Sequence, residues 1–575
     1  RTQVKLHPVE EIPFIDGKFI DYRQLEKLGS RFGDTTTDDQ QSLTETEKKL
    51  VKIWGEILGR THIGINDNFF ELGGHSLNAT ILLSQIYKEF DVNIPISIIF
   101  EKPTVGELAK HIEEAAVEKY ISITAVEKRE YYLLSSAQKR MYILQQLDRK
   151  ATIYNMPAAF ELTGSLDVRR LQETFLRLIE RHESLRTSFI MLENESEPVQ
   201  RVHPIIDFEV KYLPVQAGSP SNNNLVRPFD LSRIPLLRVG LIKKNEKNLI
   251  MVIDMHHILS DGVSMEILVR EFMILFAREE LPLLRLQYKD FSMWQNKFFQ
   301  SDEMKKKEKF WLDKFKGDIP SLDMPTSYPR PPARDFRGDL LTAVADKTLT
   351  EQLNDLAKKS DTTLFMVLLA AFNVLLFQYT GKSDIVVGSP LAGRVHPDLD
   401  NVMGMFVNTL ALRNYPGQTK TFNRFLQEVK ENTLQAYENQ DYQLEMLVDK
   451  LHLPREAGKN PLFDTLFALQ NVSIPKIKLK NLELKSYKLN TGMSHFDIIL
   501  TGVETHEGIV FSLKYSTQLF SREMMETFIL HFINLLKEIV KSPGAVLTEI
   551  DVRSESEKKK ISQFRDLAQG GSYEF

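Results

Sequence analysis

At 575 residues the chain is long enough for three or four domains of about 150 residues each. Hydrophobic residues at 42% and charged residues at 26%, with 27 Gly and 24 Pro, exclude collagen-like, low-complexity and wholly disordered classes. A formal charge of −5, with no basic block interleaved with aromatics, argues against a nucleic-acid partner, and the absence of Cys removes disulfides, thiolate metal sites and any cysteine nucleophile.

The opening RTQVKLHPVEEIPF lacks the apolar core of a signal peptide and reads as a chain entered midway, so a cytoplasmic fragment of a longer protein is expected. Residues 30–43 (SRFGDTTTDDQQSL) are polar and acidic without periodicity, the composition of a linker. Thr44 with Glu47 forms a capping box, and Leu50, Ile53, Trp54, Ile57 and Leu58 follow at helical spacing, so a helix starts there. A second helix follows Ser76, with Leu82, Leu83, Ile86 and Phe90 on one side, and Thr104 with Glu107 caps a last one carrying Val105, Leu108 and Ile112. Residues 44–117 are predicted to fold by themselves as a small helical bundle.

A polar, charged tether at 118–131 precedes a region where buried strands alternate with amphipathic helices. Val168, Leu171, Phe175, Leu178 and Ile179 mark a helix, and Leu249 to Met255 a buried strand. The apolar stretch 363–379 follows the cap candidates Asp361 and Thr362 and is interrupted by Asn373 and Gln378, which predicts a buried helix and no membrane span. Lysine-rich 303–316 and proline-rich 320–332 place a lobe boundary near 305–330, giving lobes at 132–304 and 305–550. Residues 551–575 read as a linker, with the closing GGSYEF as a cloning scar.

Two motifs are decoys. Gly381, Lys382 and Ser383 end like a Walker A loop, but Leu376 stands where the leading Gly is needed, so turn chemistry explains them better. Gly74, His75, Ser76 and Leu77 begin like a hydrolase nucleophile elbow, but Asn78 replaces the second Gly and no strand precedes. DNFFELGGHSLNAT (67–80) does set Ser76 directly after a Gly73-Gly74 turn at a helix start. A phosphodiester there would meet free backbone N–H groups and the positive end of the helix dipole, although position alone favours a plain N-cap serine. MHHILSDGVS (255–264) sits where a strand ends and a helix begins. Adjacent histidines at a strand end point apart, and zincin spacing is missing, so no metal site is expected. Spacing alone leaves His256 and His257 open between a buried structural pair and a catalytic one.

As a set, these segments resemble known families. DNFFELGGHSL is similar to the peptidyl carrier signature of nonribosomal peptide synthetases, and HHILSDG matches the HHxxxDG of condensation domains and chloramphenicol acetyltransferase-like acyltransferases. SSAQKRMYIL (135–144), RHESLRTSF (181–189), YKDFSMW (288–294), MGMFVNTLALR (403–413) and NQDYQLE (439–445) resemble further condensation-domain motifs, in order. Val263 stands where Trp is frequent, Asn439 and Gln443 replace common His and Pro, and REAGKNPL (455–462) only approximates an arginine-rich form, departures that bear on substrate preference. IPFIDGKFIDYRQL (12–25) resembles the tail of an adenylation domain, with Lys18 at its catalytic lysine and Asp16 where Asn is usual, and residues 549–564 resemble the linker into a following adenylation domain.

The resemblance implies a multidomain protein: the adenylation-domain tail at 1–29, a four-helix carrier bundle, then a two-lobed α/β condensation domain forming a V-shaped pseudo-dimer with a tunnel between its lobes. It implies 4′-phosphopantetheine on Ser76 and peptide-bond formation at His257. His256 is expected to brace the loop, and Gly262 to admit close backbone approach of a thioester with a helix N-terminus facing the oxyanion. Asp261, just before that helix, is expected to be structural and paired with Arg394 of GSPLAGR, and Asn408 lies in the FVNT stretch that shapes the site. The implied partners are an upstream adenylation domain, a downstream aminoacyl carrier and a phosphopantetheinyl transferase, with the chain a monomer and no membrane partner. An epimerisation domain shares HHxxxDG, but GGHS and FVNT argue against it. A non-catalytic docking scaffold is the other alternative, disfavoured by the intact His257, Asp261 and Gly262.

Overall fold

A computed structural model describes residues 43–559, apart from 194, 214–224, 246–247, 333–334, 454–457, 471–476, 480–481, 488 and 490–491, together with the short strands Phe14–Ile15 and Phe19–Ile20. Asp16, Lys18, most of the 30–43 linker, part of REAGKNPL and the closing GGSYEF lie outside the described residues.

The first unit is built from helices Glu45–Leu58, Ser76–Phe90, Ser97–Glu101 and Val105–Glu114. Thr44 caps the first helix: its Oγ1 accepts the Glu47 N–H at 3.2 Å while the Glu47 carboxylate accepts the Thr44 N–H at 2.8 Å. Gly59, at φ 64°, ends that helix in the left-handed region that favours glycine. Leu50, Trp54, Phe69, Leu82, Ile86 and Leu108 are all fully buried, and the Trp54 and Phe69 rings meet edge to face at 4.9 Å. The second helix is capped by His75, whose Nδ1 accepts the Asn78 N–H, and Ser76 is its first helical residue. The N-cap reading of Ser76 is thereby corrected, because the imidazole already occupies the capping role.

Two lobes follow, each a six-stranded sheet with helices packed against it. In the first, Asn155–Gly164, Asn248–His256 and Leu237–Lys243 are central, and the helices Val168–Arg181 and Gly262–Phe276 bury Phe175, Leu178, Leu268 and Phe272 against them. In the second, Leu364–Thr380 is buried from Leu364 to Phe377. Its polar interruptions are partly paired: Asn373 Nδ2 donates to the Leu369 carbonyl at 2.8 Å while its Oδ1 is buried without a partner, and Gln378 Nε2 donates to the carbonyls of Leu547 and Ile550. Thr363, and neither Asp361 nor Thr362, caps it, and Gly381 closes it at φ 69°, the turn chemistry expected of that glycine. Among the described residues no single helix is long and apolar enough to cross a membrane.

The lobe limits differ from the sequence expectation in two places. The 304/305 boundary falls inside the helix Asp302–Lys314, whose Trp311 is buried and donates its indole N–H to the Asn439 carbonyl at 2.9 Å. That helix belongs with the second lobe. The strands Ile477–Leu479 and Leu482–Tyr487, well inside 305–550, cross back and extend the first lobe's sheet, with Leu482 opposite Gly164 and Tyr487 opposite Ala159. Local periodicity identifies a strand but not its partner, so this exchange was not readable from spacing.

Residues 118–131 also depart from a free tether. The Tyr120 N–H donates to Asp91 at the end of the Ser76–Phe90 helix (2.7 Å), its hydroxyl reaches His396 Nδ1 (3.2 Å), and Ser122 Oγ and the Ile123 N–H both donate to Asp398. Further contacts hold the bundle against the second lobe, Gln85 on Asp400 at 3.3 Å and Glu71 with Lys358 at 2.6 Å.

Candidate active site

The strand Asn248–His256 delivers the histidine pair, and the single turn His257–Leu259 redirects the chain into the helix Gly262–Phe276. The two imidazoles part at this junction. His256 is fully buried; its Nδ1 accepts the Ile258 N–H at 3.1 Å, so the proton lies on Nε2, which donates to Gln145 Oε1 at 3.1 Å. It braces the loop as a neutral ring, and burial depresses its pKa to about 3. The sign follows directly. A histidine held neutral in the fold but free to charge in the unfolded chain costs stability as pH falls below about 6.5, by up to about 1.4 kcal/mol per pH unit, until the folded pKa is reached. Urea unfolding at pH 7 and pH 5 should show this loss, and His256→Gln, which can accept and donate in the same places, should reduce it; an equal loss in both proteins would contradict the assignment.

His257 keeps some solvent contact. Its backbone N–H donates to the Tyr154 carbonyl at 2.8 Å, and its Nδ1 lies 2.7 Å from the Ser260 carbonyl. A carbonyl only accepts, so Nδ1 carries the proton and Nε2 presents a lone pair. Burial holds the pKa of His257 below the usual histidine value, against the raising effects of the Ser260 hydrogen bond and the Asp261 charge, and the nearby Arg140 cation lowers it further. The ring is set up as a proton acceptor at neutral pH.

Asp261 has both carboxylate oxygens engaged by the protein. It is fully buried; Oδ1 accepts the Ser264 N–H at 2.7 Å as the helix cap and Arg394 Nη2 at 3.3 Å, and Oδ2 accepts the Phe406 N–H at 3.1 Å. Arg394 also donates to Ser264 Oγ and to the carbonyls of Leu399 and Val402, and its guanidinium lies 4.0 Å from the centre of the Phe406 ring. Ser264 Oγ in turn donates to the Gly404 carbonyl and accepts the Gly404 N–H. Residues 394–406 of the second lobe are thus bolted to the first turn of the helix that follows His257. Gly404 is required here, because a Cβ would lie 1.7 Å from the Tyr288 ring, and the Tyr288 hydroxyl donates to the neighbouring Met405 carbonyl.

Gly262 is exposed, and a Cβ built on it meets nothing within 4 Å, so open space lies over the first turn of the helix beside the histidine loop. Asn408 is a clamp, donating to the carbonyls of Gln440 and Tyr442 and accepting the N–H groups of Thr409 and Leu444. It fixes NQDYQLE against the second lobe's sheet. One feature of the site had no assigned role in the sequence reading: Arg140 and Glu445, one from each lobe, form an ion pair at 2.8 Å, and Arg140 Nε and Glu445 Oε2 are buried without partners. Both lie inside quoted motifs, but only the fold brings 135–144 and 439–445 together. No cluster of three or more His, Cys, Asp or Glu able to hold a metal ion occurs among the described residues.

On the carrier unit, the turn before Ser76 suits a prosthetic group. Gly73 has φ 99° and open space around its missing Cβ, whereas a Cβ on Gly74 would lie 2.4 Å from the Phe69 ring. The first glycine leaves open space at the turn and the second lets the turn lie flat on the core, with Ser76 the first residue of the helix that follows.

The comparisons agree with this division. Residues 128–562 match the condensation domain family and residues 48–112 the phosphopantetheine attachment site. The motifs taken together are similar in style to tyrocidine synthetase 3, and tyrocidine synthase 3 of Brevibacillus parabrevis is 46% identical over 558 residues, which is 96% of this chain and 8% of that protein. Gramicidin S synthase 2 of Brevibacillus brevis is 46% identical over 563 residues, 97% of this chain and 13% of that protein, and bacitracin synthase 3 of Bacillus licheniformis is 42% identical over 555 residues, 96% and 9%. The chain thus spans a small fraction of the length of these relatives. In fold it resembles the X-domain from teicoplanin biosynthesis, with a TM-score of 0.70 at 21% identity, covering 75% of this chain and all of that one. It also resembles a four-domain nonribosomal peptide synthetase solved in its holo form with AMP and glycine, with a TM-score of 0.69 at 23% identity, covering 75% of this chain and 34% of that one. The chain belongs to the condensation-domain family, preceded by a phosphopantetheine-bearing carrier domain of the nonribosomal peptide synthetase kind.

Proposed function

We propose that this chain joins an acyl group carried at Ser76 to the α-amine of an aminoacyl thioester on a downstream carrier, forming a peptide bond in the assembly of a peptide antibiotic. The bound phosphopantetheine supplies the thiol that holds the acyl group. Everything else falls to the protein: bringing two tethered reactants together is worth on the order of 7–11 kcal/mol of barrier when the approach is well aligned. His257 Nε2 accepts an N–H of the attacking amine and takes the proton as the C–N bond forms and the donor C–S bond breaks. Because α-amines titrate at about 7.7–8.0, part of the nucleophile is already neutral at pH 7, and no prior deprotonation is needed. Gly262 leaves room for the donor carbonyl, whose developing negative charge the N-terminus of Gly262–Phe276 stabilises.

The observation that carries this reading is the imidazole tautomer, with Nδ1 committed to the Ser260 carbonyl and Nε2 left to accept. The proposed partners are an upstream adenylation domain that loads Ser76, a phosphopantetheinyl transferase that modifies it in the cytoplasm, and the downstream aminoacyl carrier, with the chain itself monomeric. Treatment with a phosphopantetheinyl transferase should add the mass of one 4′-phosphopantetheinyl group to the chain and none to Ser76→Ala. The aminoacylated product, mixed with an aminoacylated downstream carrier, should then yield dipeptide. A D-residue appearing at Ser76 without any acceptor would mark an epimerase instead, and no reaction at all would mark a docking scaffold.

A further inference from the structure

The two matched family regions leave residues 113–127 unassigned, since one ends at 112 and the other begins at 128. Part of that interval is built into the condensation unit. Ile123 is 1% exposed and lies in one apolar cluster with Tyr288, Phe291, Leu399, Val402 and Phe406. The Phe406 ring is packed against Phe291 at 4.6 Å and Tyr288 at 4.9 Å, while its N–H is held by Asp261 and its face by Arg394.

Polar contacts on both sides keep the isoleucine in place. Asp398 accepts from Ser122 Oγ at 2.7 Å, from the Ile123 N–H at 2.9 Å and from Arg285 at 2.5 Å. Arg285 also donates to the Ile123 carbonyl at 2.7 Å, and the Val126 N–H donates to Asp290 at 2.9 Å. Burial alone would raise the pKa of Asp398, but the hydrogen bonds from Ser122, Arg285 and Ile123 hold it down at about 2, so the anchor stays charged throughout the working range. At its other end the strap meets the carrier helix through Tyr120 and Asp91.

We infer that residues 120–126 are a working part of the condensation unit, with Ile123 a positioning residue that seats Phe406 and through it holds the Asp261–Arg394 bolt beside the His257 loop. Chain on the carrier side of the condensation family's match therefore supports the active site. Its bearing on catalysis rests on the proposed role of His257; its bearing on the bolt does not.

The test uses the full chain with Ile123→Val and Ile123→Ala, and reads hydrogen exchange at the amides of Gly404 and Phe406, which Ser264 and Asp261 accept. Graded removal of the plug should speed exchange at both amides, about threefold for Val and about thirtyfold for Ala, with the amides of Leu364–Thr380 unchanged. Should Ile123→Ala not fold, the Val variant is judged by the same criterion. Unchanged exchange at Gly404 and Phe406, or acceleration of Leu364–Thr380 by the same factor, overturns the inference. In the dipeptide assay the rate at saturating acceptor should fall in the same order with the half-saturating acceptor concentration unmoved. Wild-type protein that makes no dipeptide would remove the functional reading while leaving the exchange result to decide on the strap.

Discussion

His257→Ala is expected to slow dipeptide formation about 10²–10⁴-fold, the range in which a positioned acid or base contributes, while leaving pantetheine loading of Ser76 intact. The variant removes the one acceptor nitrogen at the strand end that is not committed to holding the loop. The pH dependence separates proton transfer from mere positioning. With its pKa held below the usual 6.5, His257 remains a base down to mildly acidic pH, so the wild-type rate should fall with acidity in two steps, first as the amine protonates near 7.7–8.0 and again as His257 does. The variant should keep only the amine step. A variant with the wild-type rate would end the assignment of His257 as the base, and a variant with both steps would place the second ionisation on another group.

The second large effect concerns Asp261. Removing one member of a buried ion pair leaves its partner uncompensated, so Asp261→Ala should cost about 3–5 kcal/mol in urea unfolding, and the dipeptide rate should collapse with it. Arg394→Ala should cost a similar amount. The double variant should cost clearly less than the sum, because the two residues share one network with Ser264, Gly404 and Phe406. Asp261→Asn offers one oxygen where the native carboxylate uses two, so it too should lose stability. If it unfolds like wild type yet has lost activity, Asp261 acts as a catalytic acid and the structural assignment is wrong.

Much of the carrier and of the catalytic loop was legible from local pattern. The Thr44–Glu47 box, the buried helix from Leu364 and the turn at Gly381 each depend on contacts within a few residues, which is the range over which spacing carries information. The Asp261–Arg394 pairing was legible only as a suggestion, since nothing in GSPLAGR says which carboxylate lies opposite. Arg140 with Glu445, the return of Leu482–Tyr487 to the first lobe and the seat of Ile123 left no local trace, because each joins segments separated by at least 162 positions, the separation of Ile123 and Arg285.

What the sequence by itself determined is the chemistry on offer: a serine at a glycine turn, a histidine pair at a strand end, and the motifs that place the chain among carriers and condensation domains. The tertiary structure decided which histidine is which. His256 is silenced because Ile258 and Gln145 occupy both its nitrogens, and His257 is left with a lone pair because the Ser260 carbonyl claims its proton. It also turned a presumed tether into part of the enzyme. Helix caps and apolar spacing are set by neighbours along the chain, whereas a proton's position on a ring, or a plug behind a phenylalanine, is set by whatever the fold brings alongside.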